Sequence, residues 1–290
     1  MTPLKLRERN RLDHILPQGY LEGFTVPSSG QGHLWVYNTE RGNWFRSAPG
    51  AVAAERGFYD YSEGSDADAS ADQAFAKFET NFPPLVRELV KNNFSGWTKH
   101  CDFLVRYAQM LRARSTLFRQ EVLRQTQHAT FLRVEEVLQT MPHPDKPGQA
   151  MCQIRYSPYD MAYDQNRNAL LKNLTITRMR AEIAKGAGEF DGLNWHLRLA
   201  SDVTLPVITG DNPVAMVGFG IPSREEAAKH PDTLFVFPVC WQACLIGTRR
   251  QFDETDLFSP TALMQLYGCY LGDASRRFAY SPHRVELTQP

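Results

Sequence analysis

The amino-acid sequence predicts an α+β fold in which the terminal segments form a mixed sheet and a central, mainly helical region packs on it. Segments with strand-like alternation lie near both ends of the chain, at 33–47 and from residue 193 onward. Between them, apolar residues recur at every third or fourth position, which is the spacing of helices packed on a core. Strands at both ends with helices between them favour a single α+β domain over residues 1–290.

The composition is that of an ordinary globular protein, with 42% hydrophobic and 22% charged residues, and it excludes collagenous and disordered classes. A formal net charge of zero argues against a protein that coats a nucleic-acid backbone. The longest apolar runs are too short to cross a bilayer, so no membrane partner is expected. Five cysteines, an odd number, and a polar start to the sequence predict reduced thiols in a cytoplasmic protein.

The first part of the chain, residues 1–60, combines a short helical or turn segment with a predicted β-hairpin. The segment LDHILPQGYLEGF supplies the helix or turn, and HLWVYN and NWFRSA supply two aromatic, β-branched strands. Gly42 lies between the two strands, where a tight turn requires a residue with a positive φ.

Residues 70–190 are predicted to be mainly helical. Pro83 and Pro84 are expected to start a new helix, because proline is accepted in a first turn but disrupts a helix interior. A long helix is predicted over 97–125, followed by further helices over 128–140 and 159–185.

The pattern changes to strands over 193–290. Trp195, Leu197 and Leu199 alternate with polar residues, and LPVITGDNP, LFVFPV and WQACLIG follow as apolar strands. A closing helix is predicted near 260–273, and a last strand is predicted at RFAYSP.

The first candidate site residues are His14 and Gln18 in the N-terminal segment. Residues four apart on a helical turn share a face, so the imidazole and the amide could address one ligand. The alternative is that His14 is a hydrogen-bonded residue that fixes the N-terminal segment to the core.

Gln109 and Arg112 form a second candidate pair on the predicted long helix. An inward-facing Arg112 would suit a carboxylate or phosphate, since the guanidinium can bind such groups in a bidentate manner. The alternative is that the arginines of this helix, Arg114 among them, form a solvated or salt-bridged face.

Asp211 and Asn212 form the third candidate, at the end of the apolar strand in VITGDNPV. Polar side chains at a strand end lie on a rigid support, where clefts often open. The same residues are good turn formers, because Asp binds backbone amides and Asn before Pro is held extended. Turn and site are equally compatible with the sequence.

No metal site is predicted. Cys240 and Cys244 are the closest cysteines in the sequence, but no second pair of cysteines or histidines follows at zinc-binding spacing. The sequence leaves any cofactor undetermined.

Short motifs along nearly the whole chain carry a resemblance to a known family. In chain order they are His14-x-x-Pro17-x-x-Tyr20-Leu21-x-x-Phe24, Leu34-Trp35-Val36-Tyr37, Gln109-x-x-Arg112, Trp195, Thr209-Gly210-Asp211-Asn212-Pro213-Val214, Phe237-Pro238 and Ala274-x-Arg276-x-x-x-Tyr280-Ser281. Their order resembles a bacterial and archaeal family catalogued only as a domain of unknown function. The resemblance therefore implies relatives but no reaction.

The chain departs from that family at two places. Gly210 stands where the family usually has Ser, and the last predicted helix has Gln265, Tyr267 and Gly268 where an Asn is often found. If that Asn served the site, its absence would put the activity of this member in doubt.

The hypothesis that follows is a cleft formed by the six candidate residues, with hydrolysis of an anionic ester as the reaction. His14 would act as general acid or base, Asp211 would orient it or hold a cation, and Arg112 would stabilise developing negative charge. Gln18, Gln109 and Asn212 would bind the substrate, an anionic small molecule such as a nucleotide, or a nucleic-acid end.

Two alternatives stand beside the hydrolase. The same residues could form a satisfied buried polar network. The protein could instead be a non-catalytic binding or sensor module in a bacterial defence or stress system. Such a module would use an aromatic-rich surface made of Trp35, Tyr37, Trp44, Phe45, Phe58 and Tyr59.

Overall fold

The computed structural model describes residues 12–25, 32–59, 71–125, 165–184, 190–200, 204–217, 230–231, 233–249, 259–271 and 277–285. These residues form helices and small antiparallel sheets, which confirms the predicted α+β class. No helix within these ranges is long and apolar enough to span a membrane. The predicted helix over 128–140 lies outside the described residues.

The strands are short. They are β1 (Leu12–His14), β2 (Leu34–Asn38), β3 (Asn43–Ser47), β4 (Ala54–Arg56), β5 (Asn194–Leu199), β6 (Thr209–Gly210), β7 (Ala215–Val217), β8 (Leu234–Cys240), β9 (Ala243–Thr248) and β10 (Phe278–Ser281). The helices are α1 (Gln18–Leu21), α2 (Ala71–Lys91), α3 (Cys101–Arg114), α4 (116–125), α5 (Gln165–Ala184) and α6 (Pro260–Leu271). Turns of 3₁₀ helix cover Glu22–Phe24, Pro49–Ala51 and Trp97–His100.

The strands form a two-stranded sheet, β1-β4, and two four-stranded sheets, β3-β2-β10-β6 and β5-β9-β8-β7. As predicted, the terminal segments share a sheet, since β10 pairs with β2. Every described pairing is antiparallel, whereas the sequence predicted a mixed sheet. Apolar alternation identifies a strand, but it carries no information about the direction of the neighbouring strand.

The hairpin of β2 and β3 forms as predicted. Its strands pair from Leu34 opposite Ser47 to Asn38 opposite Asn43. Gly42 closes the turn with φ of +64°, a conformation that glycine adopts without strain, and its N–H donates to the Asn38 carbonyl at 2.8 Å.

The prolines do not start a new helix, and this prediction was wrong. Helix α2 runs from Ala71 to Lys91 with Pro83 and Pro84 inside it. Each proline removes one backbone donor, but Pro83 packs closely against Gly19 of α1. Tertiary packing, which local sequence rules do not include, therefore outweighs the helix-breaking tendency.

The predicted long helix over 97–125 is divided at Ser115, which is extended, with φ of −66° and ψ of 152°. The Ser115 side chain accepts a hydrogen bond from the Phe118 N–H at 3.2 Å, and Asn212 accepts one from the Leu117 N–H at 3.1 Å. These two acceptors pair with N–H groups at the start of α4 that have no hydrogen-bond partner within the helix. The serine and a distant asparagine thus allow a second helix to begin.

The two four-stranded sheets separate a large core from a smaller one. Val36 of β2 and Phe237 of β8 lie in the large core, which the helices α1 to α5 complete. Trp44 of β3 and Val236 of β8 face the smaller core, which contains α6. Both faces of each sheet are therefore covered by apolar side chains, at least in part.

Tyr20 of α1 connects the N-terminal segment to both sheets. Its hydroxyl donates to the Pro238 carbonyl of β8 at 2.8 Å and accepts from the Thr209 hydroxyl of β6, also at 2.8 Å. Its ring stacks on Phe237, with centroids 6.0 Å apart. Burial raises the pKa of Tyr20 well above its ordinary value, so the hydroxyl stays protonated and able to donate.

We expect Gly19→Ala to destabilise the fold. A Cβ at Gly19 would lie 2.5 Å from Pro83 Cγ, which is closer than van der Waals contact allows, and the proline ring is held within α2. The free energy of unfolding should fall by about 1–3 kcal/mol in urea denaturation.

Gly268→Ala is the matched control. Gly268 also lies in a helix, but a Cβ there would meet nothing within 4 Å. We expect it to leave stability unchanged or raise it by up to about 1 kcal/mol, because alanine is the better helix former. Equal stability of the two variants would contradict the close packing of α1 on α2.

Candidate functional site

The N-terminal motif is anchored by a buried arginine, Arg114, for which the sequence favoured a solvated or salt-bridged face; the salt bridge forms, to Glu79, but the arginine is buried. Arg114, at the end of α3, is only 3% exposed. Its guanidinium donates to the Tyr59 hydroxyl at 2.6 Å, to the His14 carbonyl and to the Glu79 carboxylate. We call Asp13, His14, Tyr59, Glu79 and Arg114 the Arg114 cluster.

Aromatic rings complete the environment of this guanidinium. Its central carbon lies 5.1 Å from the centre of the Tyr59 ring and 4.4 Å from that of Phe75. Cation–π attraction of this kind is strongest where water is excluded. The buried charge is therefore compensated by a carboxylate, by two oxygen acceptors and by two ring faces.

The protonation states in the cluster follow from these contacts. Burial raises the pKa of Tyr59 to about 12, since nearby Arg114 only partly offsets the effect of burial. Burial also lowers the pKa of Arg114, but Tyr59 and Glu79 outweigh it and the net pKa is raised. At neutral pH the cluster therefore holds a protonated phenol and a charged guanidinium.

Asp13 and Tyr59 connect β1 to the segment after β4. The Asp13 carboxylate accepts the Tyr59 N–H at 2.9 Å, and the Tyr59 hydroxyl donates to the His14 carbonyl at 3.4 Å. The Asp-His pair that opens the N-terminal motif therefore holds the segment after β4 through the Asp13 carboxylate and the His14 carbonyl.

His14 and Gln18 do not share a helix face, so this expectation was wrong. His14 lies in β1, and Gln18 begins α1. Pro17 interrupts the helical spacing between them by adopting an extended conformation. The His14 Nε2–H donates to the Gly50 carbonyl at 3.1 Å, and Gln18 Oε1 lies 3.1 Å from the position that a Gly50 Cβ would take. Both side chains thus approach the same 3₁₀ turn.

Gln109 and Arg112 have separate partners. The buried Gln109 amide donates to the Glu182 carbonyl at 2.9 Å and so connects α3 to α5. Arg112 is half-buried, and one of its nitrogens lies 4.0 Å from the Glu121 carboxylate of α4. This pair thus links helices to one another.

Asp211 and Asn212 form the turn after β6 and bind backbone groups on both sides. The Asp211 carboxylate accepts the Arg277 N–H at 3.0 Å, and the Asp211 N–H donates to the Phe278 carbonyl at 3.1 Å. Asn212 accepts the Leu117 N–H of α4. The turn therefore joins the start of β10 to the helical region.

His14, Arg112 and Asp211 contact different partners: the Gly50 carbonyl, the Glu121 carboxylate and the Arg277 N–H. His14 reaches α3 through Arg114, and Asn212 reaches α4 at Leu117. Among the described residues, no group of three or more histidine, cysteine or acidic side chains could hold a metal ion.

The burial of Arg114 was not predicted, although the sequence contains a pattern that indicates it. Arg114 lies three and seven residues after Leu111 and Tyr107, on the same apolar stripe of α3, whereas Arg112 lies beside it. An arginine in register with core residues is a candidate for a buried, paired charge.

We expect Arg114→Met to lower the free energy of unfolding by about 1–3 kcal/mol, because it removes a buried donor that the Tyr59 hydroxyl, the His14 carbonyl and Glu79 share. Arg114→Lys should recover little, since an ammonium cannot reproduce the planar fork. Urea denaturation at neutral pH measures both effects.

Arg106→Gln is the control for these variants, because Arg106 lies on the same helix and is exposed. It should change stability by no more than about 0.5 kcal/mol. A wild-type unfolding midpoint for Arg114→Met would show that the cluster does not hold the N-terminal segment.

The family relationship of the chain extends over this whole arrangement. A family model described as "Protein of unknown function (DUF4238)" matches residues 13–282. That span begins at Asp13 in β1 and ends directly after β10, so it includes the Arg114 cluster and the turn after β6. No curated protein and no solved structure shows a significant match. The chain belongs to the DUF4238 family of proteins of unknown function.

Proposed function

We propose that this protein is a non-catalytic recognition module that binds a partner protein through the hairpin of β2 and β3. The observation that carries the proposal is Phe45, which is 38% exposed on β3. Only Phe45 and Leu12 are exposed large apolar side chains in the part of the chain that the structure describes. A partner that covered Phe45 would gain the free energy of removing that ring from water.

The hairpin carries aromatic residues and an arginine on the face opposite to that of Phe45. Trp35, Tyr37 and Trp44 are half-buried on that face, and Arg46 is exposed. Aromatic residues and arginine are the types enriched where protein interfaces are strongest. Phe58 and Tyr59, which the sequence analysis included in this surface, are buried in the core and do not contribute to it.

The contacts of the predicted catalytic residues also favour recognition over catalysis. The His14 imidazole and the Asp211 carboxylate each bind a backbone group, and Gln109 and Asn212 do the same. Groups used in this way hold segments together. A sensor in a bacterial defence or stress system would need such a stable support beneath its binding surface.

Photo-crosslinking in the source organism tests the proposal. We expect Phe45→p-benzoylphenylalanine to form a crosslink to a defined protein, and we expect Arg46→Glu in the same chain to remove that crosslink. The photoreactive residue keeps an aromatic ring at position 45, so binding should survive the substitution.

The same residue at Leu12 is the control, because Leu12 is 46% exposed but lies on β1, which pairs with β4 in a different sheet. Identical crosslinks from both positions, or crosslinks that do not respond to Arg46→Glu, would contradict recognition by the hairpin.

Hydrolysis of a phosphate ester is the second candidate function, and the imidazole of His14 favours it. Because Nε2 donates its proton to the Gly50 carbonyl, Nδ1 is the ring nitrogen that faces other partners. The ring is only half-buried, so a substrate could reach it. In this proposal Nδ1 accepts the proton of a water whose oxygen bonds to phosphorus, the ester P–O bond breaks, and the proton passes from Nδ1 to the leaving oxygen. Arg112 would stabilise the charge that develops on the phosphate.

This candidate is tested with bis(p-nitrophenyl) phosphate and with an end-labelled oligonucleotide. We expect His14→Ala to lower turnover by about 10²–10⁴-fold, which is the usual contribution of a general base. His283→Ala is the matched control, since His283 Nε2–H also donates to a backbone carbonyl, that of Thr204, at 3.1 Å. Turnover that is absent, or equal in the two variants, would exclude this role of His14.

A further inference from the structure

We propose that the partner is an acidic peptide segment that adds to the outer edge of β3 as a fifth strand of the sheet. This inference rests on the proposed recognition function and specifies its ligand. β3 stands at one end of the strand order β3-β2-β10-β6. All five of its residues pair with β2 on one side, so its other side is the edge of the sheet as far as the described strands extend.

An edge strand offers a row of backbone donors and acceptors to an incoming chain. Peptides use this arrangement by adopting an extended conformation and pairing with the edge, where backbone bonds supply affinity and side chains supply specificity. β3 is also well supported, because β2 and β10 hold it in one sheet with a covered face. Its edge therefore needs little ordering when a strand is added.

Side chains along β3 define what the added strand should carry. Phe45 points to one face of the sheet, and Trp44 and Arg46 point to the other, since side chains alternate along a strand. Directly opposite residues of paired strands are within contact distance. The added strand should therefore place an apolar residue beside Phe45 and an acidic residue beside Arg46.

The charges around the hairpin favour an acidic partner. Arg41, Arg46 and Arg277 are exposed, and Glu40 is the acidic residue among them. Arg277 and Glu40 lie 3.6 Å apart and largely compensate each other. Arg41 and Arg46 therefore leave the edge positive, which attracts carboxylates and disfavours pairing with a second copy of the same edge.

The aromatic contacts favour a peptide over a nucleic acid. Arg46 lies over the Trp35 ring at 5.9 Å from its centre, and the Tyr37 and Trp44 rings contact each other with centroids 5.1 Å apart. Single-stranded nucleic acids bind by stacking bases on aromatic faces. Here those faces are partly occupied by neighbouring side chains of the hairpin itself.

Fluorescence anisotropy with the full chain tests the inference. The probes are fluorescein-labelled peptides of about ten residues in which valine alternates with glutamate or with lysine. We expect the glutamate peptide to bind the wild-type chain more tightly than the lysine peptide. Arg46→Glu should weaken binding of the glutamate peptide by about tenfold or more and strengthen that of the lysine peptide.

Two controls separate strand addition from simple charge attraction. A glutamate peptide that is N-methylated at every residue keeps its charge but loses the backbone donors of both strand edges, so its binding should be lost. Arg180→Glu reverses the charge of an exposed arginine on α5, and it should leave binding unchanged.

The outcomes separate failure of this inference from failure of the proposed recognition function. If both peptides bind equally and N-methylation removes binding, the acidic class is wrong while recognition by the edge stands. If N-methylation has no effect, strand addition is wrong. If sedimentation velocity shows a dimer that Arg46→Glu disrupts, the edge binds a second copy of the chain. If oligothymidylate binds and the peptides do not, the surface binds nucleic acid. Either result would overturn the inference. Absence of all binding, together with no crosslink from position 45, would overturn both proposals.

Discussion

The buried guanidinium of Arg114 determines how the N-terminal segment sits on the helices. Water is excluded from it, so its charge is tolerated only while its hydrogen-bond partners remain in place. Those partners come from β1, from the segment after β4 and from α2, while the arginine itself belongs to α3. Elements that are distant in sequence are therefore fixed by one planar group. Since α1 follows β1 directly, the position of Tyr20 between the two sheets depends on the same group.

One four-stranded sheet connects the hairpin of β2 and β3 to the N-terminal motif. Strand β10 pairs with β2 of the hairpin on one side and with β6 on the other. Thr209 of β6 is hydrogen-bonded to Tyr20 of α1. In the turn after β6, the Asp211 carboxylate accepts the Arg277 N–H and so holds the start of β10. The motifs that first suggested a reaction centre therefore stabilise the sheet in which β3 is the last of the described strands. In the proposed recognition function, the polar motif residues would support the sheet and its aromatic edge strand would contact the partner.

The sequence was sufficient to predict those parts of the fold that depend on local patterns. The hairpin, the strands from residue 193 onward and the helical middle follow from residue spacing and turn chemistry, which act over a few neighbours. The errors arose where a distant residue decides the outcome. Pro83 lies inside a helix and packs against Gly19, and the helix that follows the break at Ser115 is capped by Asn212, 95 residues from Leu117 along the chain. For the candidate site, the sequence identified the polar residues, but it could not show that most of them bind main-chain atoms.

The choice of main-chain partners has a consequence for how this family can vary. Gly50, Leu117, Glu182 and Arg277 each supply a carbonyl or an N–H to a motif side chain, and every residue type has a carbonyl. Any amino acid except proline also supplies the N–H. Substitutions at Leu117, Glu182 and Arg277 by residues other than proline therefore cost the bonds little, whereas loss of the motif side chain removes them. Residues in contact usually show paired substitutions in an alignment, but we expect none between these motif side chains and their main-chain partners. Contact maps inferred from co-variation should therefore miss the hydrogen bonds that connect these segments.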